Sequence, residues 1–232
     1  MSKHHCITVP LSRRETTAGI LYLLLQMFLL PTLISWGFAL MGNPFNEAEM
    51  NFLFFLMNFL VTLVIFHDYL SKNLRQAARH PILLLQSVIL GLAAYYASSF
   101  LVSLVIILLD PGYANYNDEA ITSMLHGNGF LILIGTSVLV PPFEECMFRG
   151  LVFRNLYGRN RYLGYAVSML LFSLVHITGY IGLYTLPQLL MACLQYLPAG
   201  LCLAWSYARA DTIFAPILIH AAVNFISFNM LR

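Results

Sequence analysis

Residues 82–109, ILLLQSVILGLAAYYASSFLVSLVIILL, run without a single Asp, Glu, Lys or Arg. A bilayer core of about 30 Å needs about 20 apolar residues per spanning helix. This stretch exceeds that length, leaving room for tilt that Gly91 could relieve. Six further runs meet the requirement, at about 17–41, 50–70, 128–153, 162–179, 183–206 and 211–229. The pattern predicts an all-α fold, a polytopic membrane helical bundle of about seven transmembrane helices. Pro31 falls inside the first run, where membrane helices tolerate proline better than soluble ones do. The N-terminus does not read as a cleaved signal peptide, because its apolar stretch is too long and no small-x-small site follows it.

Composition agrees with that class. The chain is 59% hydrophobic and only 9% charged, against about 25% charged in soluble domains. Such hydrophobicity also excludes disorder. A scattered net charge of +2 gives no footprint for nucleic acid. Cys6, Cys146, Cys193 and Cys202 form no CxxC pair, so neither a zinc knuckle nor a redox motif is visible.

Loop charge predicts the orientation. With the N-terminus inside, the inner set holds Lys3, Arg13, Arg14, Lys72, Arg75, Arg79, Arg149, Arg154, Arg159, Arg161 and Arg209, eleven of the twelve basic residues. Only Arg232 falls outside, where Glu47, Glu49, Asp110, Asp118 and Glu119 collect instead. Seven spans with N-in and C-out satisfy this alternation. Residues 1–232 read as a single membrane domain, with 1–109 as three accessory N-terminal helices and 128–229 as a four-helix core. The outer connection 110–127 is polar and expected to lie on the surface.

The sequence PPFEECMFRG, at 141–150, places three charges directly after an apolar run. A charge at a membrane-helix centre costs about 2.5–3.5 kcal/mol on insertion scales, so the two acids need a reason. Glu145 and Arg149 are four apart and share a helix face, able to form an ion pair. Glu144 is turned about 100° away and left free to face a cavity. Pro141 and Pro142 lack N–H groups, which should orphan carbonyls around Ser137 and Val138. Irregular backbone at membrane depth survives only beside protein or water, which favours a water-accessible pocket there. Downstream, FSLVH sets Phe172 and His176 one turn apart, and HAAVN does the same for His220 and Asn224. At 1.5 Å per residue from the cytoplasmic ends, Glu144 lies about 15 Å deep, His176 about 20 Å, His220 about 14 Å and Asn224 about 20 Å. Three helices could bring these groups to one place.

The motifs EExxxR, completed by FRG, then FxxxH and HxxxN, resemble those of the CPBP intramembrane proteases. That family includes the type II CAAX prenyl endopeptidases and proteins linked to bacteriocin processing and self-immunity. The resemblance covers residues 128–229. It implies a peptidase in which Glu144, with His176, activates water, and His220 with Asn224 holds the oxyanion. Glu145 and Arg149 would be a supporting ion pair and Phe172 a packing residue beside the site. The expected partners are the lipid bilayer and a membrane-embedded or lipidated peptide or protein substrate. The expected localisation is integral in a bacterial cytoplasmic membrane. Nothing in the sequence reads a prenyl group.

A metal-free glutamate mechanism, with no cofactor, is the preferred reading. A zinc (Zn) site stays open, because two histidines and a glutamate are a familiar zinc set, although no HExxH spacing is present. Blander readings stand beside these. EExxxR could be a solvated helix end with Arg149 snorkelling to the interface. His176, His220 and Asn224 could each be interhelical glue, the reading adopted for Asn58 and Gln86. Cys146 beside two carboxylates is a poor nucleophile. His4, His5 and Cys6 read as solvated, and His67, His80 and His126 as helix-end residues. Two rival functions remain: a non-proteolytic scaffold or bacteriocin-immunity protein, and a small ion- or proton-coupled transporter. The transporter predicts a hydropathy repeat between halves, and none is visible.

Overall fold

The structure, a computed structural model, describes residues 7–42 and 46–231, apart from the side chain of His126. His4, His5, Cys6, Lys3 and Arg232 therefore lie outside the described residues. The helices in chain order are α1 (Arg13–Phe28), α2 (Leu30–Leu40), α3 (Glu47–Ile65), α4 (His67–Arg79), α5 (Pro81–Leu109), α6 (Tyr116–Ile134), α7 (Val140–Glu145), α8 (Arg154–Tyr157), α9 (Arg161–Ile177), α10 (Leu186–Ala210) and α11 (Phe214–Leu231). Two π-helical segments, Gly135–Leu139 and Cys146–Phe153, flank α7 on either side. Among the described residues six helical spans are long and apolar enough to cross a membrane, or seven if α1 and α2 form one broken span. Large apolar side chains such as Val64, Leu108 and Phe130 stay exposed on their outer faces. That is the expected state of a helix whose solvent is lipid. The protein is an integral membrane protein with an all-α fold.

Contacts identify the two ends of the bundle. At one, the backbone N–H and hydroxyl of Thr8 donate to the Asp211 carboxylate at 2.7 and 2.5 Å, and Gln76 Nε2 donates to it at 2.8 Å. Arg154 Nε reaches the Val9 carbonyl at 2.7 Å. At the other end Asn115 Nδ2 donates to Gln195 Oε1 at 2.8 Å, and Asn51 Nδ2 reaches Met124 Sδ at 3.2 Å. Leu231 lies there too, beside Asn115 and Asp118. The chain must therefore travel the length of the bundle between Ser12 and Asn46, as the α1–α2 pair does.

Four expectations need correction. The run 17–41 is not one straight helix but bends by 53° between α1 and α2. Pro31 has no N–H, and its ring clashes with the carbonyl four residues earlier. The run 50–70 ends at Ile65, and α4 follows as a separate polar helix. Its buried residues, Tyr69, Asn73 and Ala77, recur every four positions, an amphipathic stripe rather than an apolar run. The connection 110–127 is no bare surface segment, because Tyr116 onward is helical and joins the TM helix across a break at Asn128 (φ −159, ψ 84). Arg149, counted with the basic loops, is fully buried inside the bundle.

The N-terminal helices are more than lipid-facing additions. Glu15 is buried, closes a capping box with Ser12 and accepts the Tyr69 N–H at 2.7 Å. Asn73 accepts the Ile213 N–H at 2.9 Å and, through its carbonyl, the Thr212 hydroxyl at 3.0 Å. It thus fixes the start of α11, the helix that carries His220. Asn58 is interhelical glue as expected, accepting from the Tyr22 hydroxyl at 2.9 Å.

Candidate active site

The irregular backbone around the two glutamates has a definite form. In the π-helical segment the Val140 N–H bonds to the Gly135 carbonyl, five residues back. Continuing that register, Pro141 would donate to the Thr136 carbonyl, but proline has no N–H to give. Asn224 Nδ2 occupies the orphaned acceptor from α11, at 2.8 Å. Asn224 thus answers the carbonyl of Thr136, one residue before the expected Ser137, because π-helical register moves the bond missing at Pro141 by one residue. Such π-bulges recur at functional sites. Asn224 keeps its second amide N–H for another acceptor.

Glu145 and Arg149 form the expected ion pair, Nη1 to Oε1 at 3.1 Å, with both side chains fully buried. Arg149 also donates from Nη2 to the Gly200 carbonyl at 3.3 Å and sits 4.3 Å over the Phe172 ring. Gly200 is required there: a Cβ would lie 2.8 Å from Met169 Cα on α9. Phe172 is a packing residue in the full sense, with ring centroids 4.6 Å from His176 and 5.9 Å from His220.

One contact was not expected. Glu145 Oε1 also meets His220 Nδ1 at 2.8 Å. A carboxylate only accepts, so Nδ1 carries the proton and Nε2 is the nitrogen turned to the other acid. Glu144 Oε2 lies 3.9 Å from that Nε2, beyond hydrogen-bond range. It is buried with no hydrogen-bond partner among the described residues. His176 does not touch Glu144 directly. Its Nδ1 lies 2.8 Å from the Phe172 carbonyl, and its ring stacks on Tyr196 at 4.3 Å. The carbonyl fixes the Nδ1–H tautomer and leaves Nε2 free.

Glu144, Phe172, His176, His220 and Asn224 all border one cavity of about 940 Å³. Glu145 and Arg149 do not line it, and neither does Cys146, which is fully buried. Tyr196 and Thr136 are neighbours that motif reading missed. The paired prolines were the available signal for Thr136, and nothing local marks Tyr196. Among the described residues no group of three or more His, Cys, Asp or Glu side chains is placed to hold a metal ion.

Residues 126–226 match the family model described as type II CAAX prenyl endopeptidase Rce1-like. The chain is 25% identical over 217 residues to a Bacillus subtilis (strain 168) protein named "Putative membrane peptidase YdiL", covering 88% of this chain and 83% of that one. No solved structure matches. The matched region runs from α6 to α11 and contains every residue of the EExxxR, FxxxH and HxxxN motifs. Over residues 126–226 the chain is thus similar to the type II CAAX prenyl endopeptidases, and over most of its length to a protein named as a membrane peptidase.

Proposed function

We propose that this peptidase is an intramembrane endopeptidase that hydrolyses a peptide bond of a membrane-associated substrate with water activated by Glu144. One observation carries the reading: Glu144 borders the cavity with an unpartnered buried oxygen 3.9 Å from His220 Nε2. A water entering from the cavity side would bridge the two groups in a bent arrangement. Glu144 takes its proton as the oxygen attacks the carbonyl carbon, with His176 Nε2 at the same cavity as the second basic nitrogen. His220 keeps Nδ1–H on Glu145 and, on taking up a proton from solvent at Nε2, turns that N–H toward the developing oxyanion. The free N–H of Asn224 is the second donor. Collapse of the intermediate breaks the C–N bond, and the proton held by Glu144 passes to the leaving amine. No step is routed through a metal.

The end of the bundle holding Thr8, Gln76 and Arg154 is rich in Arg and Lys, and we assign it to the cytoplasm by the positive-inside rule. That makes the chain N-in and C-out. The test is cleavage of a membrane-anchored peptide by purified protein in proteoliposomes, with and without chelator. Wild type should cleave, Glu144→Gln should not, and chelator should change neither result. A Glu144→Gln protein with full phenotype would favour a non-proteolytic role, and chelator-sensitive cleavage would restore the zinc mechanism.

A further inference from the structure

The cavity that holds Glu144 does not end at the catalytic groups. It continues to the end of the bundle opposite Thr8, where Asn115 and Asp118 also line it. Its charged lining residues are Glu47, Asp118 and Glu144, and no Lys or Arg is among them. A cleft with one sign of charge and low-dielectric walls focuses its field and selects ligands of opposite charge.

Asp118 lines this route near the bundle end, away from Glu144. It stands in the first turn of α6, where Asn115 Oδ1 accepts from the Asn117 and Asp118 N–H groups. Asn115 is itself tied to Gln195 on α10, next to Tyr196, the ring that stacks on His176. The Asp118 carboxylate is half-buried, and its desolvation raises its pKa above the usual carboxylate range. Among the described residues it has no hydrogen-bond or ion-pair partner. Its neighbour Glu119 is exposed and can answer the helix dipole in water, so the dipole does not account for an acid turned into the cavity. Tyr95, Tyr180 and Tyr196 line the same space and lie within electrostatic reach of the Asp118 charge. A desolvated carboxylate among aromatic rings is a setting in which a cation gains from both the charge and the ring faces.

We propose that Asp118 with Tyr95, Tyr180 and Tyr196 forms a subsite for a cationic group of the substrate, a lysine or arginine side chain or a free amine. Tyr196 also stacks on His176 at 4.3 Å, so this subsite adjoins the imidazole that borders the same cavity. The proposal rests on the endopeptidase reading for its substrate, but binding alone can decide it.

The experiment measures affinity of the Glu144→Gln protein in detergent micelles for three fluorescent peptides of one apolar host sequence. They carry lysine, norleucine or glutamate at a single position, which is scanned along the host. The lysine peptide should bind about tenfold more tightly than the norleucine peptide at one register, and the glutamate peptide more weakly than both. An added Asp118→Asn change, isosteric and checked by its melting curve, should collapse the lysine-to-norleucine ratio toward one. Tyr180→Leu should reduce it in part. Equal affinity for lysine and norleucine peptides at every register overturns the subsite, as does a preference untouched by Asp118→Asn. Hydrolysis by the Glu144-containing protein is scored separately. Binding preference without hydrolysis retains the subsite and rejects the endopeptidase, and hydrolysis without preference does the reverse.

Discussion

Glu145 Oε1 bonds at once to Arg149 Nη1, at 3.1 Å, and to His220 Nδ1, at 2.8 Å. The second acid of the pair therefore joins the ion pair inside its own helical segment to the histidine of α11. Removing one partner of a buried ion pair costs about 3–5 kcal/mol, because the other charge stays behind uncompensated. Glu145→Gln should lower the unfolding free energy by an amount in that range, measured by denaturant titration in micelles. Replacing Arg149 by Met in the same protein should recover part of the loss, since no lone charge then remains.

Asn224 answers a different need. Its Nδ2 satisfies the Thr136 carbonyl that Pro141 cannot. Asn224→Leu should cost about 1–3 kcal/mol for the buried acceptor left unpaired. Mutating Pro141 to Ala supplies an N–H and should make Asn224→Leu less costly, a coupling that a double-mutant cycle will read.

At Gly200 the α9–α10 crossing leaves no room for a methyl group, with Met169 Cα 2.8 Å from the added Cβ. Gly200→Ala should destabilise by about 1–3 kcal/mol through overpacking. It should also disturb Arg149, which holds the Gly200 carbonyl. A melting curve no lower than wild type would mean that the two helices can separate freely.

Thr8 and Gln76 both lean on Asp211, a left-handed residue (φ 53) at the end of α10. Asp211→Ala removes all three acceptor contacts. It should free the N-terminal segment, read as faster proteolytic clipping before Ser12 with little change in peptide cleavage. Asp211→Asn keeps one acceptor oxygen and should fall between the two.

Much of the site was legible because membrane burial makes charge expensive. Glu144, Glu145 and Arg149 stood out as charges in an apolar run, and i,i+4 spacing identified which acid would pair with the arginine. Depth counting brought His176, His220 and Asn224 to the same level, and one cavity does border all three. The Glu145–His220 bond was not legible, because spacing within one helix says nothing about which oxygen faces another helix. The π-helical register hid the identity of the orphaned carbonyl for a related reason, since it adds one residue per turn that no propensity announces. Helix α4 was missed because its burial follows a stripe of Tyr69, Asn73 and Ala77 rather than overall hydropathy. Helix α6 was read as a connection because its first turns are polar, although they build the cavity's far end.

The most direct measurement compares Glu144→Gln with Glu145→Gln for both turnover of a membrane-anchored peptide and unfolding midpoint. Glu144 borders the cavity while Glu145 is locked between Arg149 and His220. The expected result is a Glu144→Gln protein that melts like wild type and loses turnover by about 10²–10⁴-fold. Its Glu145→Gln counterpart should melt lower while keeping measurable turnover where it remains folded. Retained turnover in Glu144→Gln, or abolished turnover in a Glu145→Gln protein that melts like wild type, would contradict the assignment of Glu144 as the base.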